Sequence, residues 1–569
     1  MFKPCIWLLC ALGLNAGADN GPKMIAYSAF PSAYFNDRAA DVARMYDGLF
    51  FVLGDWDTGI EANLGVGNKS PLTDWKSKAG ENVARLNKAG ATENLLGFCF
   101  GEEGAWPSPE TLRSDEFTKR LAAHFGAAGK AAKELGFRGV SIDIEYPYKR
   151  YSLGHEMYTY DGYTADDLVE AALAQGQAAM NAILDAYPEA VIFVLPGELR
   201  TRPIGQAFML GMLDAMAGRD APGGFHLGYE RSYCLYEGPV SQAGIPRAGD
   251  GAAELLLEGE TLDYWKRRCT VAPGVWPLHM AETGGKDYPV RPWKEELAEL
   301  DQQLRLLRSI AKRYIWSFTA HPAWCAPDPE LEAKYGIKPP TFAQGRDAIA
   351  GWQAILAAKA PLEDKRAAGL VRIVRQYDRG RISFAELCNR FGTPAEWMAL
   401  GPLGNPFTDP AFASQDALLK PVHADQSIPG RDGPVRWFPF RNYEPLGTVS
   451  LAAVFDWRNT DNASAHLVSD IHARKTCHAH LHVGWDDGII VRLDGHIVFD
   501  RREYPVRGHG LLFRDRYIFE DRVPIVIPKG KSRLGVTSIN SHGSWAFSLR
   551  MTDEAGYPIE GLSFMLPDD

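Results

Sequence analysis

Sixty-one Lys and Arg against 71 Asp and Glu give this 569-residue chain a formal net charge of −10, with 46% hydrophobic and 23% charged residues. That balance excludes a disordered, fibrous or disulfide-dense chain, and the negative charge excludes a protein whose main task is to hold phosphate backbones, so nucleic acid is not an expected partner. The length allows about two to four domains, or one large barrel with an accessory domain.

Residues 1–18 read as a secretory signal peptide: Lys3 supplies the positive end, Ile6 to Leu14 the apolar stretch, and Ala16-Gly17-Ala18 a small-residue cleavage site. The expected location is secreted or periplasmic. Bulky Trp7-Leu8-Leu9 precede Cys10, where a lipid-anchor site takes small residues. No later stretch reaches about 18 uncharged apolar residues, so no membrane span is expected.

From Met24 to about Ala358, short apolar runs alternate with longer helical stretches. That pattern calls for parallel strands covered by helices. The runs are Met24–Phe30, Gly48–Trp56, Asn94–Glu102, Gly139–Pro147, Ala190–Glu198, Gly224–Tyr233, Val275–Thr283 and Tyr314–Pro322. Their number and length predict a (β/α)8 barrel over residues 19–361, with an open doubly wound sheet as the alternative. Between the third and fourth runs, Phe117, Leu121, Phe125, Ala128, Ala132 and Leu135 recur at helical spacing after Ser114, a predicted N-cap. Ala165 to Tyr187 and Leu297 to Ile310 repeat the pattern, the latter with Pro292 near its start.

Residues 362–395 read as a helical linker, and 396–569 as an antiparallel β-sandwich. The predicted sandwich strands are Thr448–Asp456, His478–Trp485, Ile489–Leu493, Val523–Ile527, Arg533–Ile539 and Trp545–Met551, with turns at Asp486-Asp487-Gly488, Asp494-Gly495 and Lys529-Gly530. Cys99, Cys234, Cys269, Cys325, Cys388 and Cys477 are scattered and form no Cys-x-x-Cys. They read as buried thiols with at most one bridge, not as a zinc knuckle or a dithiol redox motif.

Side chains at the carboxyl ends of barrel strands share one mouth. Asp55, Glu102, Asp143, Glu145, Glu198, Glu230 and Glu282 are predicted there. A buried strand has no structural use for a terminal carboxylate, so converging acids point to acid/base or cation chemistry. Glycosidic cleavage needs two carboxyl groups, one protonated and one ionised. Asp143 and Glu145 are two apart and so share the barrel-facing side, while Ile142 and Ile144 face the helices. Asp143 is then placed to tune and orient Glu145.

Aromatic residues add a stacking surface for the apolar C–H face of a sugar ring; Tyr27, Trp56, Tyr146, Tyr229 and Trp316 are the candidates, with Glu102 and Glu198 as polar contacts. Weaker candidates are Arg200 and Arg202 as an anion site and His279 and His321 as acid/base or core residues. His478, His480 and His482 alternate on one strand face, which suits a metal or simply a solvent-facing strand, since Ala479, Leu481 and Val483 form the apolar face. Gly284-Gly285-Lys286 lacks P-loop spacing. Neither a metal nor a cofactor is expected, and the sequence carries no signal for an oligomeric state.

The segment Gly139-Val140-Ser141-Ile142-Asp143-Ile144-Glu145-Tyr146-Pro147 resembles the fourth strand of family 18 glycoside hydrolases, whose pattern is Asp-x-x-Asp-x-Asp-x-Glu. Arg138 and Ser141 stand at the first two aspartate positions. Leu227-Gly228-Tyr229-Glu230 is similar to that family's sixth-strand Met-x-Tyr-Asp, and Trp316 falls where the family keeps a tryptophan floor. The resemblance implies Glu145 as the acid, Asp143 as its partner and Tyr229 as a substrate contact. A second resemblance, to the retaining glycosidases with a Glu ending strands four and seven, implies Glu282 as the partner of Glu145. Ile144 stands where that clan has Asn. Val483–Gly488, Val491–Gly495, Pro528–Gly530 and Trp545–Phe547 resemble the galactose-binding-like jelly-roll modules of carbohydrate-active enzymes, which implies an accessory sandwich. The sequence therefore points to a secreted glycosidase acting on a polysaccharide or oligosaccharide, with a non-catalytic glycan-binding protein on a degenerate barrel as the alternative.

Overall fold

The computed structural model describes residues 21–29, 31–52, 73–99, 109–144, 165–200, 203–233, 238–277, 292–318, 327–337, 345–404, 427–442, 444–455, 460–502, 521–542 and 545–567. Eight parallel strands close into a barrel in sequence order: β1 (Lys23–Ala29), β2 (Gly48–Val52), β3 (Leu95–Cys99), β4 (Gly139–Asp143), β5 (Val191–Leu195), β6 (Phe225–Tyr229), β7 (Thr270–Val275) and β8 (Tyr314–Phe318), with β8 paired back to β1. The open-sheet alternative is thereby excluded. Helices 115–134, 165–186 and 293–310 follow the predicted spans, and Ser114 caps the first by accepting from the Phe117 amide at 3.1 Å.

One strand is misplaced by the sequence reading. The seventh is Thr270–Val275, not Val275–Thr283, because Pro273 and Gly274 inside it read as turn punctuation. Each serves the barrel. Pro273 lies opposite Tyr229 in the parallel ladder. A Cβ on Gly274 would stand 2.7 Å from Tyr233 and 2.9 Å from Trp316, so only glycine lets those rings pack there.

Strand alternation divides the barrel into two cores. Val140, Ile142 and Ile144 join Phe125 and Ile183 in the layer between strands and helices. The opposite set, including Phe50, Phe193, Tyr314 and Trp316, fills the interior. Large rings from β2, β5 and β8 are accommodated by small inward positions such as Ser141, Gly228 and Ala272; a Cβ on Gly228 would run into Leu195 and Phe193.

The amino-terminal end of the barrel is closed by polar groups. His226 Nδ1 lies 2.8 Å from Thr270 Oγ1, Arg313 Nη1 lies 3.2 Å from His226 Nε2, and Tyr314 donates to Glu93 at 2.6 Å. Burial, reinforced by Arg313, holds His226 well below the usual imidazole pKa. In the sandwich, burial followed by Arg492 brings His466 down to about 4, and burial followed by Arg550 brings His482 to about 3. A folded-state pKa below the unfolded value means that the unfolded chain binds the extra proton. The stabilisation is complete above pH ~6.5 and is lost as pH falls. Thermal melts are expected to show a loss of about 1–2 kcal/mol per histidine between pH 7 and 5; a midpoint constant over that interval contradicts it.

The carboxy-terminal strands are β9 (Glu396–Gly404), β10 (Ser427–Pro429), β11 (Pro434–Arg436), β12 (Phe438–Arg441), β13 (Thr448–Ser450), β14 (Ala463–Ala473), β15 (Cys477–Trp485), β16 (Gly488–Leu493), β17 (His496–Arg501), β18 (Asp521–Ile527), β19 (Gly530–Asn540), β20 (Ala546–Thr552) and β21 (Leu562–Met565). They build a seven-stranded sheet ordered β12-β9-β14-β19-β16-β17, with β21 beside β14, and a four-stranded sheet ordered β13-β20-β15-β18. Leu481, Val483, Val491, Val536 and Phe547 are among the residues of their common core. Asp494 and Gly495 both take positive φ, as the predicted two-residue hairpin turn requires. The expected strand over 448–456 stops at Ser450, and Leu451–Phe455 is helical.

The helical linker is packed on both sides. Helices 365–378 and 384–390 bury Leu370, Val374, Phe384 and Leu387 against Val240, Ala243, Leu306 and Ile310 of the barrel. Arg247, 1% exposed, grips Asp378 through Nε at 2.7 Å and Nη2 at 2.8 Å, and also bonds the carbonyls of Pro246 and Ile310. On the other side, Asn389 donates to the Phe564 carbonyl at 3.1 Å, while Arg550 of β20 reaches the barrel directly, donating to Ser241 Oγ at 2.6 Å and to the Leu446 carbonyl at 2.8 Å. Asp378→Ala leaves the Arg247 charge buried without its bidentate partner and is expected to cost about 3 kcal/mol. Denaturant titration reads this directly, and a change below about 0.5 kcal/mol, ordinary for a surface site, contradicts it.

Candidate active site at the barrel mouth

The carboxyl end of β4 carries the acid that the sequence placed there. Val140, Ile142 and Ile144 are committed to the helix side, so Ser141 and Asp143 take the inward phase. Asp143 is 9% exposed. The ladder continues one residue further, with the Ile144 amide donating to the Leu195 carbonyl at 2.7 Å. Glu198, three residues beyond β5, and Glu230, in the short 3-10 turn that follows β6, are half-buried at the ends of the next two strands.

The carboxyl ends of β1, β6, β7 and β8 carry a set of rings. Tyr27 stacks on Phe318 with ring centroids 5.6 Å apart and meets Trp316 edge-on at 5.9 Å. Tyr233 touches Trp316 at 5.4 Å and Trp276 at 5.3 Å, and Trp276 reaches Phe318 at 5.0 Å. Trp316 lies beneath, its indole N–H bonded to the Ala272 carbonyl at 3.1 Å, so it is a floor whose polar atom is already satisfied.

Tyr229 does not join this group. It is 3% exposed and shares the strand–helix core with Phe225 and Leu227, the outward phase of β6, while Gly228 faces inward. The residue expected to contact substrate packs behind the strand instead. Glu282 lies seven positions beyond the last residue of β7 and so does not end that strand. Glu145, Glu282, Trp56, Glu102 and Tyr146 lie outside the described residues, as do Asp55, Arg202, His279 and His321.

Sequence reasoning missed Trp276 and Phe318. Trp276 was obscured by the shifted seventh strand; once β7 is set at Thr270–Val275, its inward alternation from Ala272 through Gly274 leads to Trp276. In the sandwich, His478, His480 and His482 occupy the outward face of β15, with Ala479, Leu481 and Val483 in the core. His482 Nε2 is 2.7 Å from Thr552 Oγ1. Among the described residues no group of three or more His, Cys, Asp or Glu is placed to hold a metal ion. Cys269, Cys388 and Cys477 are free and buried. No helix among the described residues is long and apolar enough to cross a membrane.

No family model matches the chain, and no curated protein matches it. Among solved structures it is similar to the beta-glycosidase BGL167, with 12% identity over 58% of this chain and 88% of that chain and a TM-score of 0.33. Old Yellow Enzyme from Pichia sp. AKU4542 gives 12% identity, coverage of 58% and 88%, and a TM-score of 0.32. A D-allulose 3-epimerase from Methylomonas sp. gives 11% identity, coverage of 60% and 99%, and a TM-score of 0.31. Likeness at this level says nothing about activity, and the barrel stands on its own strand order.

Proposed function

We propose that the chain is an exported glycoside hydrolase that cleaves O-glycosidic bonds of a polysaccharide or oligosaccharide at the barrel mouth. The observation that carries this reading is the inward phase of Asp143 at the end of β4, in a barrel whose carboxyl end also holds the Tyr27, Tyr233 and Trp276 rings around Trp316. Glu145 is the proton donor in this proposal, and Asp143, its neighbour two residues earlier, orients it and tunes its affinity for the proton.

Glu230 is the favoured second carboxylate because it follows β6 directly, whereas Glu282 stands seven residues past β7. A Glu145–Glu230 carboxyl separation of about 5–5.5 Å would give retention of configuration, and about 6.5–9.5 Å inversion. The strand-four resemblance to family 18 hydrolases supports Glu145 and Asp143 but not Tyr229. The sandwich, similar in its turn motifs to galactose-binding-like modules, serves in this reading as an accessory domain fixed to the barrel.

The test is incubation of the full chain with neutral plant, bacterial and fungal glycans, followed by measurement of new reducing ends with and without a chelator. Chelator-insensitive release from at least one glycan is expected. Absence of release across the panel overturns the enzyme and leaves a glycan-binding barrel.

A further inference from the structure

A buried hydrogen-bond chain runs from the sandwich to the turn after β6. Its middle lies where helices 238–244 and 293–310 meet among Val240, Ala243 and Leu306, an apolar setting in which a buried amide is costly unless its bonds are made. Ser241, Gln242 and Gln303 are nevertheless at most 5% exposed there. Gln303 Nε2 donates to Gln242 Oε1 at 2.5 Å and to the Ser232 carbonyl at 2.7 Å. A carbonyl only accepts, so this contact fixes which end of the Gln303 amide faces the turn. Ser232 Oγ donates to the Tyr229 carbonyl at 2.8 Å and ties the turn to the end of β6. That turn, 230–233, carries Glu230 and Tyr233.

The other end of the chain is Arg550 of β20, 1% exposed and bonded to Ser241 Oγ at 2.6 Å. Its second contact, the Leu446 carbonyl at 2.8 Å, belongs to a residue that packs on the same short helix: a Cβ on Gly244 would stand 3.2 Å from Leu446 Cδ2. The sandwich thus fixes helix 238–244 at two points, and the helix presents Gln242 to Gln303. Resting on the glycosidase reading above, we infer that Arg550 and Gln303 are positioning residues for the mouth: the sandwich, acting through helix 238–244, holds the turn that carries Glu230 and Tyr233. Both act from behind the turn, by locking the groups that set its place. Misplacing a reacting group by about 1 Å costs up to about 10²-fold in rate, so a chain of this kind is read in kcat before KM.

The experiment compares wild type, Arg550→Met, Arg550→Lys, Gln303→Met, Ser241→Ala and the Arg550→Met/Gln303→Met double variant, each in the full chain. Amide hydrogen exchange is followed in peptides covering 229–237, with β1 as the internal control, and kcat and KM are measured on whichever glycan the wild type cleaves. Arg550→Met is expected to speed exchange in 229–237 by about threefold or more while β1 is unchanged, and to lower kcat by about three- to thirtyfold with a smaller change in KM. Arg550→Lys, which keeps a donor and the charge, recovers part of both effects. The double variant falls short of the product of the two single effects, as expected for residues of one network. Ser241→Ala removes only the acceptor of Arg550, and it gives the same direction of change even if Arg550→Met fails to fold.

Exchange in 229–237 and kcat within about twofold of wild type in Arg550→Lys and Ser241→Ala, together with full multiplication of effects in the double variant, overturn the inference and leave the glycosidase reading standing. Exchange that rises equally in 229–237 and β1 also overturns it, because the effect is then general destabilisation. Exchange that rises in 229–237 alone, in a chain that turns over no glycan, keeps the positioning chain and removes the enzyme.

Discussion

Replacing Glu145 by Gln is expected to lower turnover by about 10²–10⁴-fold, the cost of removing a general acid, while leaving glycan binding intact. The amide is nearly the same shape but cannot deliver a proton to the leaving oxygen. Asp143→Asn should act differently: if Asp143 tunes Glu145 as proposed, removing its negative charge should move the basic limb of the pH–rate profile to lower pH. The two variants together separate the acid from the group that tunes it. If Glu145→Gln retains more than about a tenth of wild-type turnover, Glu145 is not the acid.

Ending the chain at Pro361 is the second large effect. Such a fragment keeps every barrel strand, yet it uncovers Val240, Ala243, Leu306 and Ile310 and strips Arg247 of Asp378. Exposing four buried apolar side chains costs on the order of 6–10 kcal/mol, comparable with the whole stability of an ordinary domain. The fragment is expected to aggregate, whereas the full chain behaves as one unit. A soluble, monodisperse fragment with the wild-type melting temperature in gel filtration and thermal melts contradicts this.

The barrel was legible because seven of its eight strands are apolar runs bounded by turn residues, and because helices such as 115–134 carry both an apolar stripe and an N-cap. The eighth, β7, was not, since Pro273 and Gly274 mimic a turn and the apolar run continues past the strand through Trp276. That shift of a few residues hid the inward phase of Trp276 and set the predicted strand end at Glu282, seven residues past the last residue of β7. Tyr229 failed for a related reason: a motif match fixes residue identity, but the side chain's direction depends on strand phase, and Gly228 takes the inward position.

In the sandwich, β15, β16, β18, β19 and β20 were visible from alternation and Gly-containing turns. The central β14 was not, because its Ala463-Ser464-Ala465-His466 start is small and polar and nearly all of the strand is buried on both faces, so no period-two contrast marks it. Asp143 was legible because both of its neighbours are isoleucines, an alternation that fixes its inward phase from sequence alone. The packing of helices 365–378 and 384–390 against the barrel depends on contacts between residues more than a hundred positions apart, such as Arg247 with Asp378, and no local pattern announces those.

The most direct measurement is a crystal structure of Glu145→Gln with a bound neutral oligosaccharide. The account predicts a sugar ring in van der Waals contact with Trp276 or Phe318, with its glycosidic oxygen within hydrogen-bond reach of residue 145 and Asp143 beside it. A sugar held only on the sandwich, with residue 145 turned away from the mouth, would contradict it.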